Sequence, residues 1–382
     1  MNEDCNLNAY PNAPEQSFFK SHSGSKEESH GHFILSCSDG CFLQIGETGF
    51  LKNSAKILVI KTNEQGDLIW KQEFSEGVIN LGNSAIEIAD GYVICGAKGD
   101  DSFIAKLQKS TGSVLFENTI DNGGSDAFEH LTVMNDQLIA VGYRNAQDNL
   151  NTFFTEGEGY ISYLNLQGNL IKGQDINSEL AHGYRINQYN GDLIVSGLTE
   201  NADDYGLLKL DSTGAILWSK TYGGADADHC FGMDIGTDGS IFLTGHSLTG
   251  NENWDTYTVK ISTDGNQLWE STNGNPRGFK PKFIHDESWG IKATTDGGCI
   301  LVAGTGDEYG RYKRKCGNDG DNSNTWHVYL VKLDNSGNVE WQQTYGQVKT
   351  DWAGEDIDLT SDGGAIIAVD NGEFGFLKIA PF

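Results

Sequence analysis

One phrase recurs along this chain, and it limits the possible folds more than any other feature. An apolar strand leads into a short glycine-bearing turn, and a second strand carrying Trp follows. The phrase reads ILVIKTNEQGDLIWKQEF at 57–74, FIAKLQKSTGSVLFENTI at 103–120 and YISYLNLQGNLIKGQDI at 160–176. It returns as GLLKLDSTGAILWSKTY at 206–222, YTVKISTDGNQLWESTN at 257–273 and YLVKLDNSGNVEWQQTY at 329–345. The turn glycines are Gly66, Gly112, Gly168, Gly214, Gly265 and Gly337. Glycine in a tight loop between alternating strands is hairpin chemistry, because it accepts the positive φ such turns need.

A second hairpin alternates with the first. It appears as FILSCSDGCFLQIG, IEIADGYVICG, LTVMNDQLIAVG, RINQYNGDLIVSG, GMDIGTDGSIFLTG, IKATTDGGCILVAG and IDLTSDGGAIIAV. The ends of the chain reconcile seven of these hairpins with six Trp phrases. EFGFLKIAPF at the C-terminus is only the first half of a phrase, and EQSFFKSHSG near the start resembles the missing second half. The sequence therefore predicts an all-β, seven-bladed β-propeller of four-stranded antiparallel blades. Strand 16–22 completes the last blade and closes the ring, so that no sheet edge is left exposed. The expected organisation is a single domain over 1–382, with 1–15 as an N-terminal extension.

Composition agrees with many short strands and no long helix: 49 Gly stand against 5 Pro, and aromatics make up 10%. The net charge of −28 opposes phosphate backbones and anionic lipid, so nucleic acid and membrane surfaces are not expected partners. No apolar run is long enough to span a bilayer. The first residues, MNEDCNLNAYPNAPEQ, carry no export signal; secretion or periplasmic residence is nevertheless expected from the substrate argued below, with the signal absent from this sequence. The seven cysteines are irregularly spaced and suggest no disulfide framework, although Cys37 and Cys41 flank a turn and could pair across it. A monomer is expected.

With strands lettered A to D outward in each blade, the A–B and C–D turns are short and the B–C and D–A connections long. The loops 143–157 and 305–325 stand out, and long loops on a rigid scaffold are where binding and catalysis concentrate. His30, His32, His130, His182, His229 and His285 fall at or just before strand A, His246 follows a strand B, and His327 opens a strand C. That places eight of the nine histidines on the loop-bearing face. Glu129, Asp228, Asp286, Glu287, Glu355, Tyr184, Trp289 and Trp352 share those openings. Aromatic faces among polar groups suit carbohydrate, because sugar rings stack on flat apolar surfaces while their hydroxyls seek partners.

Seven of the 26 basic residues gather over the sixth blade: Arg277, Lys280 and Lys282 before it, then Arg311, Lys313, Arg314 and Lys315 in its long loop. A positive field in an acidic protein holds and steers an anion, and arginine offers a fork matched to carboxylate or sulfate. Arg277, Lys280, Arg314, Trp289 and Trp352 are the candidate substrate contacts. Cys316 and His327, with His285 expected nearby, form a candidate structural zinc set. GNDGDNSN at 317–324 has the oxygen-rich look of a calcium loop without its distal Glu.

The ring of histidines at strand A and after strand B, with Tyr and Arg nearby, resembles the propeller-type ulvan lyases, which cut a sulfated, uronate-containing polysaccharide. The resemblance implies β-elimination on an anionic polysaccharide. His229 and His246 would correspond to the family's histidine pair, with Tyr309 and Arg311 beside it; His130, Tyr184 and Arg185 form a second such set. Removing a proton beside a carboxylate requires that the carboxylate be neutralised, by Arg311 on this reading. His229 or His246 would take the proton and Tyr309 would return one to the leaving oxygen. Three other classes compete. A glycoside hydrolase would draw paired carboxylates from Glu129, Asp228, Glu287 and Glu355. A propeller could bind glycan or protein without turnover, and a histidine-held copper or iron would make an oxidoreductase. The uneven placing of positive charge moves the expected site off the axis, between the fifth and sixth blades.

Overall fold

A computed structural model describes residues 10–50, 55–77, 79–146, 157–199, 204–224, 226–249, 253–311, 315–316 and 321–382. Seven four-stranded antiparallel sheets follow the repeat, each ordered A-B-C-D. The protein is a seven-bladed β-propeller. The fifth blade comprises Asp228–Ile235, Ile241–Leu248, Trp254–Ile261 and Gln267–Asn273, and the sixth His285–Ala293, Cys299–Gly306, His327–Leu333 and Val339–Tyr345. In the seventh, Ala353–Leu359, Ala365–Asp370 and Phe374–Ile379 are completed by Gln16–His22 from the other end of the chain. Two compact units are distinguished: Lys20–Thr221 with Gly372–Phe374, and Tyr222–Asn371 with Gly375–Phe382 and the N-terminal residues up to Phe19.

Burial follows the order of strands. Strand B of the sixth blade, CILVAGTG, is buried at every position, whereas the outermost strand VLFENTI of the second alternates toward solvent. The apolar cores lie between successive sheets. Ile300, Val302, Val328, Leu330 and Trp341 of the sixth blade, for example, pack with Ile357, Ile367, Val369 and Leu377 of the seventh. The repeated Trp locks neighbouring blades together. Trp70 Nε1 donates to Lys109 O at 3.1 Å and Trp269 Nε1 to Asn335 O at 2.9 Å, each reaching the C–D turn of the following blade. His22, near the end of the closing strand, acts similarly, with Nε2 2.9 Å from Gly66 O.

Two further regularities went unread in the sequence. A lysine of strand C is buried and paired with an aspartate of the A–B turn: Lys61 with Asp39 and Lys106 with Asp90 at 2.6 Å, Lys332 with Asp296 at 2.7 Å, and Lys378 with Asp362 at 3.0 Å. Every strand A also carries a register shift at one equivalent place, stepping over His32, Asn83, Glu129, Tyr184, Phe231, Trp289 and Glu355 in turn. Such a bulge inserts one residue and re-aims its side chain. In the first four blades a strand B glycine makes room for it: a Cβ on Gly46 would stand 1.9 Å from His30 O, and one on Gly96 1.8 Å from Leu81 O.

Some expectations change. Cys37 and Cys41 are free thiols whose turn is closed by Cys37 N donating to Cys41 O at 2.9 Å, and burial pushes the Cys37 thiol up to about 12. Trp352 is 2% exposed and stacks on Phe19 at 3.7 Å, so it belongs to the core and is not a substrate contact. In the loop expected at 143–157, strand B of the third blade continues to Ala146, and 147–156 lie outside the described residues.

Candidate functional site

The site is built on the fifth and sixth blades, both within the unit that contains Tyr222–Asn371. His229 on strand A and His246 on strand B are cross-strand partners, with ring centroids 5.3 Å apart. Trp254 opens strand C of the same blade and stands 4.6 Å from the His229 ring and 5.1 Å from that of His246. The bulge residues of the two blades close the other side: Phe231 and Trp289 pack at 4.4 Å, and His246 lies 5.2 Å from Phe231 and 5.6 Å from Trp289. His246 is thus boxed by aromatic rings and 3% exposed. Burial, reinforced by the neighbouring His229 and His285 and opposed by Glu287, pushes its imidazole down to about 3. So weak a base is poorly matched to proton abstraction.

Beyond Trp254 opens a cleft of about 220 Å³, lined by Trp254, Lys282, Phe283, His285, Asp307, Tyr309 and Arg311. Lys282 and Phe283 come from the 3₁₀ turn Pro281–Phe283, His285 from the first position of strand A, and Asp307, Tyr309 and Arg311 from the chain leaving strand B. The Arg311 guanidinium lies over the Tyr309 ring at 4.4 Å, and that ring meets His285 edge-on at 5.5 Å. Trp254 therefore joins the two halves of the expected set, with the His229–His246 pair on one side and Tyr309 and Arg311 on the other.

His285 is buried, and its Nδ1 lies 3.3 Å from Glu287 Oε1 and 3.4 Å from Glu308 Oε2. Burial would raise the Glu287 carboxyl, yet the His285 contact and the surrounding His246, His285 and His229 hold it below its ordinary value. Among the described residues the donors that converge on His285 are these two glutamates. His327 is not among them; its ring lies against Gly346, where a Cβ would come within 2.6 Å of it. Of the zinc set expected from His285, Cys316 and His327, the described residues bring only His285 into this group, and the Cys316 side chain lies outside them.

The basic residues divide. Arg277 is 4% exposed and bonds main-chain carbonyls: Nη1 donates to Thr325 O at 2.5 Å and Nη2 to Asn322 O at 2.7 Å. It clamps the long loop and is corrected from substrate contact to structural support. Lys280 is exposed over Phe283 at 5.6 Å, and its neighbour Lys282 takes the place in the cleft. Trp289 is half-buried against Phe231 and does not line the cleft. Lys313, Arg314 and the first half of the calcium-like segment 317–324 lie outside the described residues.

The second set occupies the other unit. Tyr184 is buried and stacks on His182 at 4.1 Å, while His182 Nε2 lies 2.9 Å from Glu129 Oε1. His130 Nδ1 is 3.0 Å from Ile186 O, and both His130 and Arg185 approach Phe33, at 5.8 and 5.9 Å. Of the carboxylates considered for hydrolysis, Asp228 is fully buried and accepts from Gly224 N at 2.6 Å, a structural role. Trp254, Lys282, Phe283, Asp307 and Glu308 were missed as site candidates. An acidic residue two positions past a strand B was the available signal for Glu308.

No known protein family matches the sequence, and no curated protein does. Solved structures do resemble it. A catalytically inactive virginiamycin B lyase from Staphylococcus aureus with quinupristin matches at TM-score 0.58 and 14% identity, over 94% of this chain and 99% of that one. Hydrazine synthase of Kuenenia stuttgartiensis matches at 0.60 and 8%, over 94% and 97%. A YCF48 protein with a bound peptide matches at 0.56 and 10%, over 99% and 98%. At such identities the likeness carries the fold alone, and the activities of these proteins differ from one another.

Proposed function

We propose that the cleft beside Trp254 binds an anionic, uronate-containing polysaccharide and cleaves it by β-elimination. One observation carries this reading: Lys282 and Arg311, against the single carboxylate of Asp307, line a cleft with Trp254, Phe283, Tyr309 and His285 in a protein of net charge −28. Two cations there oppose the charge of the rest of the chain and suit a carboxylate. Trp254 and Phe283 supply flat faces for sugar rings. Arg311 neutralises the uronate carboxylate so that the adjacent proton can leave. Tyr309, 58% exposed at the mouth, carries the proton: its hydroxyl oxygen takes it as the hydroxyl proton passes to the leaving oxygen, the electron pair forms the ring double bond and the bond to the leaving oxygen breaks. His229 and His246 support Trp254 from behind in this scheme. Such a polymer lies outside cells, so secretion or periplasmic residence goes with the reading.

Incubation with a panel of uronate polysaccharides tests it. Growth of unsaturated-uronate absorbance that is lost in Tyr309→Phe supports elimination. Saturated sugars alone would select a hydrolase, and saturable binding without product would select a glycan-binding propeller.

A further inference from the structure

The group formed by His285, Glu287 and Glu308 has no part in that proton transfer, and its geometry is unusual for a hydrogen-bonded cluster. His285 and Glu287 are two apart on strand A, so their side chains leave the same face of the sheet. His285 is the cross-strand partner of Gly306, and Glu308 follows Gly306 by two residues, which brings it over the imidazole. The three donor atoms lie within 4.8 Å of one another. Nδ1 carries at most one proton, yet it stands at 3.3 and 3.4 Å from two carboxylates. Charge-assisted hydrogen bonds of this kind close to about 2.7–2.9 Å. Two ligands held by one tetrahedral ion through bonds of about 2.05 Å are instead separated by about 3.3–3.4 Å.

We propose that His285, Glu287 and Glu308 bind one divalent cation of the zinc class in a four-coordinate site whose last position is open. Burial grades across the set: His285 is buried, Glu287 half-buried and Glu308 exposed, so the side left open is the one that meets solvent. Tyr309 and Arg311 follow Glu308 by one and three residues and line the cleft with His285. Three protein ligands with an open position are the pattern of reactive rather than structural zinc. The open position would take a carboxylate oxygen of the substrate beside Arg311; that role rests on the function proposed above, whereas the site itself does not.

Chelator-stripped full-length protein, titrated with zinc chloride in a calorimeter and assayed for bound metal, tests the site without any substrate. One zinc per chain is expected, bound about 100-fold more weakly in Glu287→Gln and about 10-fold more weakly in Glu308→Gln, an exposed change that leaves the core intact. Cobalt(II) loaded in place of zinc should show the intense visible bands of four-coordination. No saturable zinc, stoichiometric zinc indifferent to both substitutions, or a weak six-coordinate cobalt spectrum would each overturn the proposal. A protein that holds zinc here and leaves every uronate polymer intact keeps the site and removes the lyase reading; one that eliminates uronate yet binds no zinc does the reverse.

Discussion

His246 faces His229 across the first two strands of the fifth blade at 5.3 Å, and Trp254 covers both rings. Because burial lowers the His246 imidazole from 6.5 to about 3, the folded protein keeps it neutral where the unfolded chain would protonate it. A depressed pKa contributes stability that is present above the unfolded value and is lost as pH falls. The melting temperature should therefore fall as pH drops from about 6.5 toward 3, and His246→Phe should flatten that slope. Thermal melts of both proteins across this range decide it. An unchanged slope would show that His246 takes up its proton as readily in the fold as in the unfolded chain.

The turn aspartates act in a lower window. Burial alone would raise Asp296, but its bonds to Lys332 and Thr294 hold it at about 2, and Asp362 is held likewise by Thr360 and Lys378. Their contribution is complete above the unfolded value of 3.8 and disappears as pH falls through about 2. Asp296→Asn should lower the melting temperature at pH 6 and shrink the difference from wild type at pH 2. A difference that persists at pH 2 would argue against the ion pair.

The repeat was legible because it rests on local chemistry: glycine at positive φ in each turn, period-two strands and a Trp at a fixed offset. Gly337, with φ of +83°, and Trp269 beside it are such signals. The site was only half legible. Histidines at strand openings can be seen in a sequence, but a bulge that steps over Phe231 or Trp289 leaves no mark in one strand read alone, since it is defined by the partner's register. Arg277 was misread for a different reason. NPRGFKPKF looks like a patch open to an anion, and only the folded loop supplies the carbonyls that bury its guanidinium. Glu308 required knowing that the chain turns back over His285 after strand B.

Arg277 offers a third test. Its guanidinium bonds the carbonyls of Thr325 and Asn322 and lies over the Phe279 ring at 4.7 Å. Arg277→Ala leaves those carbonyls without this donor and should cost about 2–4 kcal/mol, with faster proteolysis in the 305–325 loop. Arg277→Lys should recover little, because an ammonium cannot reproduce the fork. Denaturant melts and limited proteolysis measure both. A loop that stays resistant in Arg277→Ala would show that other contacts hold it.

For the cleft, Lys282→Ala and Arg311→Ala should each weaken binding of an acidic oligosaccharide about ten-fold, with less salt dependence than wild type. Lys280→Ala, one position outside the lining, should bind nearly as wild type does. Titrations at two salt concentrations separate these. Equal losses for Lys280 and Lys282 would mean a diffuse field and not a defined pocket.

The blade lock can be measured through a pair of glycines. Gly337 and Gly363 both adopt positive φ, +83° and +87°, so alanine is strained at each by roughly 1 kcal/mol. Their surroundings differ. A Cβ on Gly337 would sit 2.8 Å from the Trp269 ring, whereas the nearest atom to one on Gly363 is at 3.8 Å. Gly337→Ala should therefore cost about 2–3 kcal/mol and Gly363→Ala about 1 kcal/mol. In a Trp269→Leu background, already weakened by the lost ring and its bond to Asn335 O, the extra cost at Gly337 should vanish while that at Gly363 persists. Chemical denaturation of the double-mutant cycle tests this. Equal penalties at the two glycines in the parent would mean that the turn, and not the Trp packed on it, sets the requirement for glycine.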